Sequence, residues 1–122
     1  MTTSRPSQVL VVEDSADQAG LLRQYFEKAG CTVRVVTTGE DALAASADLL
    51  PDLAVIDLVL PGMDGWELVT RFRSELPGCA IVVTSVLDTA DFPEADGILP
   101  KPFTGAQVRK VLADLDPRWR LG

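Results

Sequence analysis

An acidic residue ends an apolar run of this sequence, in a position where a carboxylate could do chemistry. Asp57 closes the run 53–57 and precedes a loop, 58–65, that contains proline and glycine. A β-branched run of this kind predicts a buried strand, in whose interior an ionised group would be costly. An acid at the carboxyl end of such a strand lies where open α/β sheets bind their ligands. Asp57 is therefore the first candidate for a functional residue.

Three further apolar runs also end in polar or charged residues. These are Glu13 and Asp14 after 9–12, Thr84 and Ser85 after 80–83, and Lys101 after 97–100. The carboxyl ends of parallel strands meet at one edge of a sheet, so these side chains are predicted to converge on Asp57.

The elements that must position these residues alternate between strand and helix. Strands are predicted at 8–12, 32–37, 53–57, 80–84 and 97–99, and helices at 16–29, 40–47, 65–76 and 104–115. This alternation predicts an α/β, flavodoxin-like three-layer sandwich, with a five-stranded parallel sheet in the order 2-1-3-4-5. Only the eleven residues 86–96 separate Ser85 from the fifth strand, and they include Pro93. We therefore predict a shortened or irregular fourth helix.

In this strand order the carboxylates of Glu13, Asp14 and Asp57 lie within a few ångströms of one another. Three such charges repel unless a cation binds, and oxygen ligands favour Mg²⁺, with Mn²⁺ as an alternative. Lys101 can supply a second positive charge, and a hydroxyl from the fourth strand can donate to a phosphoryl oxygen. The set would support attack by an Asp carboxylate on phosphorus to give an acyl phosphate.

With these motifs in this order, residues 8–115 resemble the receiver domain of two-component response regulators, the CheY-like superfamily. The resemblance is carried by Glu13-Asp14, by Asp57 with the loop 60–65 (Leu-Pro-Gly-Met-Asp-Gly), by Thr84-Ser85 and by Lys101-Pro102-Phe103. It implies that Asp57 is the phosphoacceptor. Glu13 and Asp14 then hold Mg²⁺ with Asp57 and the main-chain carbonyl of Val59, and Lys101 pairs with the aspartate and later with its phosphate. It also implies a cis Lys101-Pro102 bond.

The hydroxyl of the fourth strand leaves a choice open, and one residue of the fifth strand departs from the family pattern. Thr84 and Ser85 are neighbours on a strand and point to opposite faces, so only one hydroxyl can serve. An ungapped count from Gly65 favours Ser85, which we predict, whereas a threonine followed by a small residue is the commoner family pattern and makes Thr84 the alternative. The family's usual aromatic residue three before the lysine is Ile98.

The resemblance implies a function in signal transduction. Asp57 would be phosphorylated by a sensor histidine kinase or a His-phosphotransfer protein, and the domain would act as a Mg²⁺-dependent phospho-switch on an unknown downstream protein. It would not be an enzyme beyond self-phosphorylation and autodephosphorylation. The alternatives are a phosphate relay or sink, or a fragment of a hybrid kinase.

Two other classes of protein fit the sequence less well. An aspartate-nucleophile phosphatase places an Asp-x-Asp motif after its first strand, where this chain has Glu13-Asp14-Ser15-Ala16. An FMN carrier of the flavodoxin type needs a phosphate loop rich in serine, threonine and glycine there, and this loop is too acidic.

Length and composition bound these predictions. The 122 residues predict one receiver domain, 8–115, between a disordered N-terminal tail, 1–7, and a C-terminal tail, 116–122. A net charge of −7 opposes nucleic-acid binding, and no run is apolar enough for a membrane span or a signal peptide, so we predict a cytoplasmic protein. The chain has no histidine, and its two cysteines, Cys31 and Cys79, are predicted to be core residues rather than zinc ligands.

Overall fold

The computed structural model of this protein describes residues 7–115. Five strands form one parallel sheet: β1 (Gln8–Val12), β2 (Thr32–Val36), β3 (Leu53–Asp57), β4 (Ala80–Ser85) and β5 (Gly97–Pro100). Their order is β2-β1-β3-β4-β5, which confirms the predicted topology. The two predicted tails lie outside the described residues, except for Ser7, whose carbonyl accepts a hydrogen bond from the Thr32 N–H.

Four helices cover the two faces of the sheet and create two cores. They are α1 (Ala16–Lys28), α2 (Gly39–Leu49), α3 (Gly65–Glu75) and α4 (Gly105–Leu115). One core joins α1 and α4 to the sheet and includes Phe26, while the other joins α2 and α3 and includes Phe72. Successive apolar residues of β1, β3 and β4 alternate between the two cores, as the pleat of a strand requires. The three-layer sandwich predicted from the sequence is confirmed.

The helices begin where short polar side chains can cap them. Ser15 accepts a hydrogen bond from the Gln18 N–H and caps α1, and Asp64 accepts one from the Glu67 N–H and caps α3. The chain leaves α1 through Gly30, whose φ of 93° suits glycine. The predicted bounds differ from the observed ones by at most two residues, and the largest difference is the extension of α2 to Leu49.

The connection between β4 and β5 contains a single 3-10 turn, Thr89–Asp91, in place of a full helix. Two side chains of α3 hold it: Trp66 Nε1 donates to the Asp91 carbonyl at 3.2 Å, and the Arg73 guanidinium donates to the Glu94 carbonyl. The Asp96 carboxylate accepts the Ile81 N–H at 2.8 Å. The prediction of a shortened or irregular fourth helix is thus confirmed, and the segment is held to α3 by the first two bonds and to β4 by the third.

Both cysteines are buried near the starts of strands, as predicted. Burial, with a contribution from Asp52, raises the pKa of Cys31 to about 11 and that of Cys79 to about 12. Because the thiolate is the reactive form, we expect neither thiol of the native protein to react with iodoacetamide at neutral pH. Intact mass should show no adduct on the folded protein and two in urea. Alkylation of the native protein at the rate seen in urea would contradict this expectation.

Candidate functional site

Three acidic side chains meet at the carboxyl ends of β1 and β3. One carboxylate oxygen from each of Glu13, Asp14 and Asp57 lies within 4.8 Å of the other two. Glu13 and Asp57 are only 1% and 4% exposed, whereas Asp14 faces the solvent. The strand order creates this cluster, because β1 and β3 pair directly from Val9 opposite Leu53 onwards. The structure therefore brings together the three carboxylates that the sequence predicted to converge.

Lys101 bridges two of these carboxylates. Its Nζ donates to Glu13 Oε1 at 2.6 Å and to Asp57 Oδ2 at 2.8 Å. The sequence predicted the pairing with Asp57 but not the one with Glu13, since nothing in a motif says which acid a lysine reaches. Lys101 directly follows β5, and its peptide bond to Pro102 is cis, as predicted.

Backbone N–H groups hold the other oxygens of the buried carboxylates. The Val59 N–H donates to Asp57 Oδ1 at 2.9 Å, and the Ser15 N–H donates to Glu13 Oε2 at 3.1 Å. Each buried carboxylate thus has one oxygen on Lys101 and one on a loop N–H, which offsets the cost of its burial. These contacts depend on the path of the loops after β1 and β3 and had no signal in the sequence.

The electrostatics of the site favour a protonated lysine beside the buried carboxylates. Burial raises the pKa of Glu13, and the Asp57 charge adds to this effect, although the hydrogen bonds from Lys101 and Ser15 oppose it. Burial works to lower the pKa of Lys101, but its hydrogen bonds to Asp57 and Glu13 outweigh that effect and raise it. Lys101 therefore stays positively charged at neutral pH.

The donor set fits a hard divalent cation. All three clustered groups are carboxylates, and oxygen ligands are those that Mg²⁺ and Mn²⁺ prefer. The exposed Asp14 leaves one side of the cluster open to solvent, which suits an ion that keeps several of its waters. A single lysine balances only part of the charge of three acids, so a cation has an electrostatic reason to bind here.

The two candidate hydroxyls of β4 lie in different environments. Thr84 pairs with Asp57 in the parallel register, and its Oγ1 donates to the Leu99 carbonyl at 2.7 Å. Ser85 Oγ instead accepts the Leu87 N–H at 3.2 Å.

The core under α2 and α3 contains Val12, Ile56 and Val83, so the residue after each of them points to the opposite face of the sheet. Glu13, Asp57 and Thr84 accordingly share one face of the sheet.

A close backbone approach positions the loop that follows Asp57. Gly65, at the start of α3, is buried, and its N–H donates to the Leu58 carbonyl at 3.0 Å. A Cβ atom on residue 65 would lie 2.4 Å from Leu58 Cα and 2.5 Å from the Asp57 carbonyl oxygen. Only glycine allows the helix to come this near to the backbone beside the candidate phosphoacceptor.

The arrangement of side chains at the carboxyl ends of the strands agrees with the protein family that the chain matches. The family model described as the response regulator receiver domain matches residues 9–113. The chain belongs to this family. Receiver domains of this kind act in two-component signalling as phospho-switches and are generally not catalytic enzymes.

Individual relatives agree with the family. The chain is 34% identical to the DNA-binding response regulator MtrA of Mycobacterium tuberculosis in an alignment of length 121 that covers 94% of this chain and 53% of MtrA. A CheY-like receiver domain from Methylobacillus flagellatus aligns with a TM-score of 0.81 at 29% identity, covering 91% of this chain and 99% of that structure. The chemotaxis response regulator CheY4 of Vibrio cholerae aligns with a TM-score of 0.83 at 25% identity, covering 91% and 99%.

The receiver chain spans about half the length of MtrA, the curated relative described above. Among the described residues, 7–115, no helix is long and apolar enough to cross a membrane.

Proposed function

We propose that this receiver domain is phosphorylated on Asp57 by a sensor histidine kinase or a His-phosphotransfer protein. Glu13, Asp14, Asp57 and the main-chain carbonyl of Val59 would hold Mg²⁺. The observation that supports this most is the convergence of three carboxylates within 4.8 Å, two of them bridged by Lys101. The downstream protein that would respond to phosphorylation is unknown.

The proposed reaction is a transfer of one phosphoryl group to a carboxylate oxygen. A bond forms between an Asp57 oxygen and phosphorus while the bond from phosphorus to the donor breaks, and the donor group leaves with the electron pair. When bound, the cation neutralises charge on the phosphoryl oxygens. Lys101 Nζ, now 2.8 Å from Asp57 Oδ2, is near enough to hold the phosphoryl group after transfer.

Incubation of the whole chain with acetyl phosphate and Mg²⁺ tests this proposal. We expect a single adduct of about +80 Da by intact mass, which is one phosphoryl group, and its loss when EDTA removes the cation. Repeating the reaction with Mn²⁺ should restore the adduct, because both ions prefer oxygen ligands. An unmodified chain, or an adduct that forms equally well in EDTA, would contradict the proposal.

The hydroxyl of β4 that assists the reaction stays a prediction, and the register bears on it. Counting along the sequence favours Ser85, but Thr84 lies opposite Asp57 and on its face of the sheet. We therefore expect Thr84→Val to slow phosphoryl acceptance by roughly a hundredfold, the effect of losing one donor to a developing charge, and Ser85→Ala to slow it much less. The time course of the adduct measures both variants. The reverse order would restore the assignment to Ser85.

A phosphate relay or sink is a second candidate for the same site. It is favoured by the 3-10 turn Thr89–Asp91, which stands where a switch domain would present a full helix, and by the aliphatic side chain of Ile98. Neither feature touches the carboxylates, so the chemistry at Asp57 would be the same. The two candidates differ only in whether phosphorylation changes a contact with a downstream protein.

A further inference from the structure

A groove of about 400 Å³ lies between β2 and α2, at the edge of the sheet opposite β5. The strand lines it with residues 34–37, and α2 lines it with Asp41, Ala44, Ala45 and Asp48. β2 is the outermost strand on this side, so in the described part of the chain its outer edge has no neighbouring strand. The groove and this edge together form a surface separate from the carboxylate site.

Backbone contacts on the inner side of β2 show which of its residues face outward. The Glu13 N–H donates to the Val36 carbonyl at 3.0 Å, and the Thr32 N–H donates to the Ser7 carbonyl at 2.9 Å. The N–H and C=O of one strand residue point to the same side, and successive residues alternate between the two sides. Val35 therefore directs both of its backbone groups away from β1, toward the open edge.

The outer edge of β2 is free to pair at Val35. Within residues 7–115, neither backbone group of Val35 makes a hydrogen bond across this edge, whereas the Val33 carbonyl accepts one from the Arg23 guanidinium at 3.4 Å. The strand reads Thr-Val-Arg-Val-Val and contains neither proline nor lysine, the residues that commonly block an exposed edge. A second strand could therefore add to β2 with Val35 at the centre of the contact.

The groove also carries charges of both signs. Arg34, Asp41 and Asp48 are all exposed, and among the described residues none of them forms an ion pair. Arg34 points to the α2 side of the sheet, because its register partner Leu10 belongs to the core under α2 and α3. A surface with unpaired charges of both signs fits a partner that presents the same charges in the reverse order.

We propose that a second copy of this chain fills the groove, with the two β2 strands paired antiparallel about a two-fold axis at Val35. Opposed residues of such a pair exchange both N–H···O bonds, so each Val35 donates to the other and accepts from it. A two-fold interface is self-complementary, so every contact that one copy makes is made again by the other. The proposal does not depend on the phosphoryl chemistry at Asp57.

The two-fold axis brings the opposite charges together. Antiparallel pairing about residue 35 places Arg34 of one copy beside Val36 of the other. The chain turns from β2 into α2 within two residues of Val36, so Asp41 lies at that end of the groove and Asp48 lies two turns further along the helix. Arg34 of one copy therefore meets Asp41 of the other, and the same pair forms twice.

The shape of the groove and the symmetry favour a second copy over an unrelated peptide. Ala44 and Ala45 are small side chains of α2, and they leave room above them for the long side chain of the other copy's Arg34. Each copy supplies both an open strand edge and both charges, so one geometry satisfies two sets of groups. Because the contact consists mainly of one five-residue strand from each copy, we expect a weak and reversible dimer.

Sedimentation equilibrium of the full chain tests the proposal, in a concentration series that extends to about 1 mM, where weak complexes still form. We expect the average mass to rise from that of one chain toward that of two. Val35→Pro should stay a single chain at every concentration. Proline removes the outward N–H but no bond to β1, and edge strands tolerate it. A wild-type chain that stays single throughout would overturn the proposal and leave the groove to a partner of another sequence.

An exchange of charges tests the orientation of the two copies. Arg34→Asp and Asp41→Arg should each weaken association by at least about tenfold, because each places like charges opposite one another twice. An equal mixture of the two variants should associate as the wild type does, because both contacts then join an aspartate to an arginine.

A control for the charge change is available at the other edge of the sheet. Arg109→Asp makes the same change as Arg34→Asp, on an exposed residue of α4, which packs on β5. It should leave the association of the chain unchanged. The proposal would be overturned if the mixture stayed monomeric, or if either single variant at the groove associated as strongly as the wild type.

Discussion

Replacing Asp57 by alanine is expected to abolish the phosphoryl adduct altogether. Asp57 is the buried carboxylate at the end of β3 and one of the two that Lys101 contacts. Alanine has no oxygen to attack phosphorus, so no amount of donor should restore the gain of about 80 Da. Lys101 keeps Glu13 as a partner at 2.6 Å, so the variant should still fold.

The control for this experiment is another aspartate of the same loop. Asp64 caps α3 through its side chain, and Asn at that position keeps the cap because asparagine is an equally good N-cap residue. Asp64→Asn should therefore give the adduct at the wild-type rate, which intact mass and peptide mapping can establish. An adduct on Asp57→Ala would mean that another carboxylate, such as Glu13, accepts the phosphoryl group.

Replacing Gly65 by alanine is expected to be the most destabilising small change near the site. The new methyl group would lie 2.4 Å from Leu58 Cα, which is backbone and cannot rotate away. We expect a loss of at least about 3 kcal/mol in the free energy of unfolding, at the upper end of overpacking effects. Because β3 must shift to relieve the contact, phosphoryl acceptance at Asp57 should also become slower. Urea unfolding and the adduct time course measure the two effects.

A second glycine provides a matched control for the same substitution. Gly20 lies within α1, and a Cβ there would meet nothing within 4 Å. Gly20→Ala should therefore stabilise the protein by up to about 1 kcal/mol, because alanine favours the helix more than glycine does. If Gly65→Ala unfolded at the same urea concentration as Gly20→Ala, the close approach of α3 to β3 would have no role in stability.

The sequence alone predicted the layers of this fold and the members of its site. Alternating apolar runs and amphipathic segments limited the chain to a parallel sheet with helices on both faces, because few other arrangements bury such strands. Pro93 and the shortness of 86–96 predicted the irregular connection that the structure shows as a 3-10 turn. Glu13, Asp14, Asp57 and Lys101 could be selected because each ends or follows a strand whose carboxyl end must reach the same edge of the sheet.

The tertiary structure alone could decide how these side chains divide their contacts. Lys101 donates hydrogen bonds to both Glu13 and Asp57, and N–H groups of the loops donate to the remaining carboxylate oxygens. Differences of a few tenths of an ångström in the loop positions decide which of these bonds form. The pairing of Asp57 with Thr84 likewise follows from the strand register. Counting residues along the sequence could not predict this pairing, because the number of residues in the turn before β4 can vary without changing either strand. Hydrophobic periodicity encodes which face a residue occupies, while register and loop path are settled only when the packed elements meet.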